Sequence, residues 1–226
     1  MKKITLILSG GLDSSTLAFW LKYKYNSELV CLTFDYGQKQ VKELDSATKI
    51  TQVLKAEHHI IDLSFIKKFL KLANSSLVND NITVPHGEYT KQNMQSTVVP
   101  NRNSLMLSIA WTIACINNSD ALAYGAHSGD HYLYPDTRPE YFTALNTALK
   151  LGVKDVGTTE LDLIAPFINF SKSQIILEGS KLNVPFELTW TCYEGGTIHC
   201  GECGACISRK KSFIEGHVED KTIYKV

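Results

Sequence analysis

The sequence has no excess of charge of either sign and no long apolar run. Its 226 residues include 23 Lys and Arg and 23 Asp and Glu, so the formal net charge is zero. A neutral chain lacks the positive field that holds nucleic acid non-specifically, so we expect a small-molecule substrate and no nucleic-acid partner. No stretch approaches the roughly 20 apolar residues of a membrane span, so we expect no membrane partner.

We expect no export signal at the N-terminus. Two lysines precede the apolar run at 4–8, and five residues are too few for the apolar region of a signal peptide. Of the six cysteines, Cys31 and Cys115 lie in apolar runs and are typical of small core residues. The other four fall close together near the C-terminus. In a chain without an export signal this clustering favours metal binding over disulfides, and the expected location is the cytoplasm.

Apolar runs alternate with helical patterns along the chain, which predicts an α/β fold with a doubly wound parallel sheet covered on both faces. Strands are predicted at 4–8, 29–34, 59–63, 121–124 and 161–165, and helices at 14–24, 41–54, 65–72, 103–117 and 139–151. Residues 74–100 are polar and weakly patterned, and they are expected to form a long loop. We divide the chain into a nucleotide-binding and catalytic domain, 1–185, and a small zinc-binding C-terminal lobe, 186–226, packed on it.

A loop of small residues separates the first predicted strand from the first helix, and we assign it to the phosphates of ATP. It reads Ser9, Gly10, Gly11, Leu12, Asp13, Ser14 and Ser15. Backbone N–H groups and a helix N-terminus attract anions there. The loop lacks the lysine of the usual phosphate loop and the glycine pattern of dinucleotide sites. A carboxylate in an anion site requires a cation, so Asp13 is assigned to Mg²⁺; alternatively, Asp13 and Ser14 cap the helix.

The clustered cysteines have metal-ligand spacing. They follow the pattern C-x7-C-x2-C-x2-C at Cys192, Cys200, Cys203 and Cys206. Four thiolates are typical of a closed, tetrahedral, structural zinc site, so one Zn²⁺ per chain is expected. The spacing differs from that of ferredoxins, although an iron–sulfur cluster and redox-active thiols remain alternatives.

Several motifs together resemble one enzyme family. SGGLDS at 9–14 matches the SGGxDS signature of the PP-loop ATP pyrophosphatase superfamily, which has the Rossmann-like adenine nucleotide alpha hydrolase fold and splits ATP between its α and β phosphates. TFDYGQ at 33–38, VPNRN at 99–103, YPDTR at 134–138 and the cysteine segment resemble, in order, those of 7-cyano-7-deazaguanine synthases. The resemblance covers nearly the whole chain, and the ordered set is specific although no single motif is.

The resemblance implies an ATP-dependent carbon–nitrogen ligase and a homodimer. In that family 7-carboxy-7-deazaguanine and ammonia become 7-cyano-7-deazaguanine, which feeds queuosine and related deazapurines. Adenylation of the carboxylate allows ammonia to form the amide, and adenylation of the amide oxygen allows loss of AMP to leave the nitrile. Thr137 stands where the family has cysteine. A chemically required thiol would leave a variant that stops at the amide, whereas a packing residue would not.

Four polar residues are the catalytic candidates: Asp13, Arg102, Asp130 and Lys172. Lys172 falls in the first turn of a predicted capped helix, where a cation is unfavourable unless it meets a phosphate. The Arg102 guanidinium suits a phosphate or the substrate carboxylate, and otherwise forms a salt bridge at a helix entry. Asp130 is assigned to the protons of ammonia. His127 and His131 share that possibility, but as lone loop histidines they are expected on the surface.

Four further residues are assigned to ligand binding. Asp35 lies about 20 residues past the glycine loop, where an acid reaches a ribose hydroxyl of ATP, or else it is a turn acid. Asp136 is expected to accept hydrogen bonds from the N–H groups of the deazaguanine, with Tyr134 and Arg138 beside it. The alternative for Asp136 is an aspartate turn. The basic run at 209–211 is expected to form a solvated helix face.

Two rival functions fit parts of the sequence. A tRNA sulfurtransferase of the same superfamily would require a basic surface or an RNA-binding domain, and the composition indicates neither. A non-catalytic module that binds a nucleotide and zinc is disfavoured by the intact SGGLDSS segment.

Overall fold

A parallel five-stranded sheet forms the centre of the computed structural model, which describes residues 1–132, 134–155 and 160–225. The strands are β1 (Lys3–Ile7), β2 (Glu28–Asp35), β3 (Glu57–Asp62), β4 (Ala121–Ala123) and β5 (Asp162–Ile164). Their order is β3-β2-β1-β4-β5, and every neighbouring pair is parallel. The strands predicted from the apolar runs are confirmed, with small shifts at their ends.

Helices cover both faces of the sheet. They are α1 (Leu12–Tyr25), α2 (Lys42–Leu54), α3 (Ser64–Leu70), α4 (Lys91–Gln95), α5 (Arg102–Ile116), α6 (Pro139–Gly152), α7 (Lys172–Lys181) and α8 (Gly204–Glu215). In the described part of the chain, none is long and apolar enough to cross a membrane. The short α4 lies in the segment 74–100, which was expected to be a loop, and two 3-10 turns lie at 128–130 and 135–137.

Alternate residues of each strand point to opposite faces, so the sheet separates two apolar cores. Ile4 and Leu6 of β1 pack with residues of α1, α2, α7 and α8. Val30 and Leu32 of β2 and Leu122 of β4 pack on the other face with α5, and with partly buried residues of α3 and α6. The predicted doubly wound α/β fold is confirmed.

The strand order places a functional crevice between β1 and β4. The chain builds β1, β2 and β3 in one direction and then returns to add β4 on the other side of β1. The loops that leave the carboxyl ends of β1 and β4 therefore diverge to opposite faces of the sheet. Ligands of open α/β sheets bind in the crevice that such a reversal creates.

The segment 186–225 packs on the preceding part of the chain. Phe186 and Phe213, whose rings meet edge to face, belong to the same apolar cluster as Ile175 and Ile176 of α7. The backbone N–H of Trp190 donates to the carbonyl oxygen of Gly10 at 2.9 Å. The C-terminal segment is therefore attached directly to the glycine loop that follows β1.

Candidate active site

A cavity of about 420 Å³ opens at the carboxyl edge of the sheet, where β1 and β4 end. It is lined by the glycine loop, by the residues that follow β2 and β4, by the first turns of α2, α5 and α7, and by residues of the C-terminal segment. The cavity therefore collects the motifs that lie far apart in the sequence.

The glycine loop leaves the N-terminus of α1 free for a ligand. Gly10 has φ +79°, and a Cβ on it would lie 2.2 Å from the carbonyl oxygen of Glu43, so only glycine fits. Gly11 is the N-cap of α1, and no side chain caps the helix. The Ser14 hydroxyl instead accepts a hydrogen bond from the N–H of Ser9 at 3.2 Å. The first-turn N–H groups of α1 are therefore the type of anion site expected from the sequence.

Asp13 lies at the centre of a charged cluster in the cavity. Its Oδ2 is 3.3 Å from Nζ of Lys172 and 3.5 Å from Nε2 of His127. Burial by itself would raise the pKa of Asp13, but Lys172 and His127 outweigh it and hold the pKa well below its usual range. Asp13 is therefore a carboxylate at neutral pH, and it does not cap α1, whose N-cap is Gly11.

The other carboxylate oxygen of Asp13 meets the requirement for a cation ligand. Oδ1 is buried and has no hydrogen-bond partner among the described residues. A buried carboxylate oxygen without a donor is costly unless a ligand completes it. Carboxylate oxygen is also the donor that Mg²⁺ prefers, so the residues present fit that ion.

Lys172 reaches the cluster because of the cap at the start of α7. Ser171 and Gln174 form the capping box expected from the sequence, with each side chain accepting from the backbone N–H of the other. This fixes Lys172 in the first helical turn, where its side chain lines the cavity. Burial lowers the pKa of Lys172, but Asp13 and Asp130 raise it by more, so the amine stays charged.

His127 is part of the cluster, and the expectation that it lies on the surface is wrong. It is 2% exposed, and its Nε2 lies 3.4 Å from Oδ2 of Asp130 as well as near Asp13. Its Nδ1 accepts the N–H of Gly129 at 3.1 Å, so the ring proton lies on Nε2, facing both carboxylates. His127 directly follows the turn after β4, and the crevice beside β1 encloses that turn.

Arg102, Tyr134 and Thr137 also line the cavity. The Arg102 guanidinium donates to the hydroxyl of Tyr36 at 3.1 Å. Thr137 is 4% exposed, and its hydroxyl donates to the carbonyl oxygen of Tyr134 at 2.7 Å. The hydroxyl at this position is therefore already occupied within the loop, although the side chain borders the cavity.

Three other candidates do not line the cavity in the described structure: Asp35, Asp136 and Arg138. The Asp35 carboxylate accepts the N–H of Gly37 at 3.1 Å, as in the turn interpretation. Asp136 accepts the N–H of Asn103 at 3.3 Å, at the start of α5. Arg138 donates through Nε to the carbonyl oxygen of His131 at 2.7 Å. All three bonds hold loops that border the cavity.

The four clustered cysteines form a compact metal-ligand group next to the cavity. Their Sγ atoms all lie within 4.8 Å of one another, and all four residues are buried. Cys200 and Cys206 have Sγ atoms 3.9 Å apart, close to the roughly 3.8 Å edge of a tetrahedron with zinc–sulfur bonds. Backbone N–H groups of Cys200 and Cys203 donate to Sγ atoms at 3.3 and 3.2 Å, which favours thiolates. The group can bind a metal ion.

Comparison with known proteins identifies the family. The family described as "Queuosine biosynthesis protein QueC" matches residues 3–217. The chain belongs to this family. It is 41% identical to the 7-cyano-7-deazaguanine synthase of Brucella anthropi, over 99% of this chain and 94% of that protein. It is 42% identical to the protein of the same name from Rhizobium johnstonii, over 99% and 92%.

A solved structure supports the fold of this QueC family member. NMN synthetase from Francisella tularensis matches with a TM-score of 0.52 at 15% identity, covering 96% of this chain and 78% of that one. At this identity the likeness concerns the fold alone. It agrees with the parallel sheet and the helices on its two faces.

Arg209 of this QueC family member is fully buried, which corrects the expectation of a solvated face at 209–211. Its guanidinium donates to the Asp220 carboxylate, to the hydroxyls of Thr189 and Thr191, and to the carbonyl oxygen of Phe186. Its donors are thus occupied within the C-terminal segment. Although Arg209 borders the cavity, its role is to hold that segment together.

We expect Arg209→Met to destabilise the fold by about 3–5 kcal/mol, because it leaves the Asp220 charge without its partner. Lys211→Met is the matched control, since Lys211 is exposed on the same helix, and it should change stability by less than about 0.5 kcal/mol. Urea denaturation followed by circular dichroism measures both. Equal urea midpoints for the two variants would show that the contacts of Arg209 do not stabilise the fold.

Proposed function

We propose that this chain converts 7-carboxy-7-deazaguanine and ammonia to 7-cyano-7-deazaguanine with ATP, for queuosine or related deazapurine biosynthesis. The names of the curated relatives and of the family support the reaction. The observation that carries the proposal is the meeting of Asp13, His127, Asp130 and Lys172 at the N-terminus of α1. We place the enzyme in the cytoplasm as a homodimer.

The phosphates of ATP are proposed to bind at the first turn of α1. Lys172 supplies a positive charge there, and its amine lies 3.3 Å from the carboxylate of Asp13. Asp13 would hold Mg²⁺, which supplies positive charge to the pyrophosphate that leaves. Because the loop lacks a lysine directed at the γ phosphate, this arrangement suits cleavage between the α and β phosphates.

The first half of the reaction activates the substrate carboxylate. Arg102 is proposed to orient that carboxylate, since its guanidinium lines the cavity. The carboxylate oxygen attacks the α phosphate of ATP, and pyrophosphate leaves. Ammonia then attacks the acyl carbon, and AMP leaves to give the amide.

Ammonium has no lone pair, so a base must accept its proton before attack. We assign this to Asp130, whose Oδ2 lies 3.4 Å from Nε2 of His127. In the second half the amide oxygen attacks a second ATP. The nitrogen then loses its two protons as AMP departs, which leaves the nitrile. Asp130 is the proposed acceptor in both halves.

The four cysteines are proposed to hold one structural Zn²⁺. The ion would fix the segment that includes Trp190, whose N–H donates to Gly10 of the glycine loop. It would also fix the start of α8, because Cys203 is the N-cap of that helix. Closed sites of four thiolates stabilise folds and leave no open position for a substrate. The ion therefore supports the cavity without taking part in the chemistry.

Release of pyrophosphate from ATP tests this function most simply. We expect continued release to depend on both 7-carboxy-7-deazaguanine and ammonium. The first adenylation requires the carboxylate oxygen, and further turnover requires ammonia to displace AMP. 7-Deazaguanine, which keeps the ring and the exocyclic amino group but lacks the carboxylate, is the control. Pyrophosphate release that ignores the deazapurine, or that never occurs with it, would contradict the proposal.

We expect Thr137→Cys to make nitrile at a rate within about twofold of the native protein. The Thr137 hydroxyl donates a structural hydrogen bond to the carbonyl oxygen of Tyr134, and a thiol donates only a weak one. Because the two adenylations require no thiol, this change should have little effect on the rate. Mass spectrometry separates acid, amide and nitrile, and Thr137→Ser is the control that keeps the hydroxyl. If the native protein accumulates amide and Thr137→Cys relieves the block, the cysteine of the family has a chemical role.

A further inference from the structure

A third acidic side chain faces the cavity besides Asp13 and Asp130, and the chemistry proposed above does not use it. Glu43 lies in the first turn of α2 and lines the cavity. Among the described residues it forms no salt bridge, although the charge of Arg102 acts on it. Gln40, three residues earlier, lines the same cavity, and its side chain acts to lower the pKa of the carboxyl. The acceptor capacity of the carboxylate is therefore largely unused.

Gln40 provides the second observation at the same place. Gln40 is 2% exposed and lines the cavity. Its Oε1 has no hydrogen-bond partner among the described residues. The amide nitrogen is the donor of the Gln40 side chain, and Oε1 is its acceptor. Oε1 can therefore accept a hydrogen bond from a ligand. A buried acceptor without a donor, beside a half-buried carboxyl group, is costly unless a ligand completes it.

We infer that Glu43 and Gln40 form the specificity site for the purine edge of the substrate, accepting hydrogen bonds from its ring N–H and exocyclic amino group. The inference rests on the proposed function, since it names the residues that select a 2-amino-6-oxopurine-like ring. Both protein groups are acceptors, and that edge of the ring presents two neighbouring donors. A ring without the exocyclic amino group leaves an acceptor unpaired and is rejected.

The electrostatics of the free site agree with this assignment. Burial raises the pKa of Glu43 to about 8, and the nearby Arg102 only partly opposes it. Tyr36, which follows β2, and Arg102, on α5, are the titratable groups that act on Glu43 across the cavity. The ring donor that Glu43 accepts stabilises the ionised carboxyl, so binding of the substrate lowers the pKa of Glu43 and releases a proton.

Asp136 was the residue assigned to this edge from the sequence, and the structure gives it different neighbours. Its carboxylate accepts from the backbone of Asn103, and it does not line the cavity. Glu43 and Asp136 are therefore alternative candidates for this role. Only substitution of the residue that contacts the ring donors should change the selection of the substrate.

The experiment compares KM for 7-carboxy-7-deazaguanine with KM for the analogue that lacks the exocyclic amino group. We expect the native enzyme to have a KM at least about tenfold higher for the analogue. In Glu43→Gln the KM for the full substrate rises by a similar factor, and the ratio between the two compounds falls towards one. The KM for ATP stays unchanged. Asp45→Asn is the matched control, since Asp45 is exposed on the same helix, and it should behave like the native enzyme.

Calorimetry in buffers of different ionisation heat gives an independent readout. The native protein should release a proton on binding 7-carboxy-7-deazaguanine at neutral pH, and Glu43→Gln should not. A Glu43→Gln variant that keeps native discrimination, with native turnover intact, overturns this inference alone. Loss of discrimination in Asp136→Asn instead returns the role to Asp136. A native protein that neither binds nor converts the deazapurine overturns the inference together with the proposed function.

Discussion

Replacement of Asp13 by Asn should reduce ATP cleavage by about 10²–10³-fold or more while the protein stays folded. An amide has no charge to hold Mg²⁺, and it removes the partner of Lys172 at 3.3 Å and of His127 at 3.5 Å. The pKa of Asp13 is held well below its usual range, so the native group is ionised throughout the working pH range. Pyrophosphate release with saturating substrate is the measurement.

The control for Asp13→Asn is the same change at the exposed Asp45, which should leave turnover unchanged. Far-ultraviolet circular dichroism should give the same spectrum for both variants. Some loss of thermal stability is expected in Asp13→Asn, because Lys172 loses a half-buried partner. Turnover within a few-fold of the native enzyme would show that Asp13 neither holds Mg²⁺ nor organises the cluster.

Removal of one cysteine ligand should have the largest effect on stability. We expect one zinc per native chain by elemental analysis, and Cys203→Ser should lose it. Structural zinc contributes on the order of 10 kcal/mol of binding free energy to folding, so the C-terminal segment should no longer fold stably. Cys203 is also the N-cap of α8, whose residues Arg209 and Phe213 pack inward. Protease digestion followed by mass spectrometry should locate cleavage after about residue 186.

Cys115→Ser is the control for the cysteine experiment, because Cys115 lies on α5 and outside the metal-ligand group. It should keep its zinc and its resistance to protease. If the protein is brown and contains iron after anaerobic purification, the cysteines hold an iron–sulfur cluster and not zinc. A Cys203→Ser variant with unchanged metal content and stability would remove the structural role altogether.

The features predicted from the sequence are those that local pattern determines. Buried strands such as β1, which contains Ile4 and Leu6, lie in apolar runs. Such a run identifies a strand even when the strand it pairs with is unknown. The glycine loop and the cysteine segment depend on residue type and spacing over short stretches. The order of the strands depends on how distant segments pair, so the meeting of the loops after β1 and β4 could not be read from either loop alone.

The residues that were misplaced are single polar side chains whose burial depends on the fold. His127 follows β4, and only the pairing of β4 with β1 shows that it faces Asp13. Arg209 had a local signal: it lies three residues after Cys206 and four before Phe213, on one face of α8. A helical reading of that segment would have placed it inward with those two residues.

Mass analysis of the product is the most direct measurement of the proposed reaction. The native protein should convert 7-carboxy-7-deazaguanine, ATP and ¹⁵N-labelled ammonium into 7-cyano-7-deazaguanine that carries the label in its nitrile. The amide should appear only transiently, and two molecules of AMP should form for each nitrile because both oxygens of the carboxyl group leave as phosphate esters. A reaction that ends at the labelled amide with one AMP, or that leaves the acid unchanged, would contradict the proposed function.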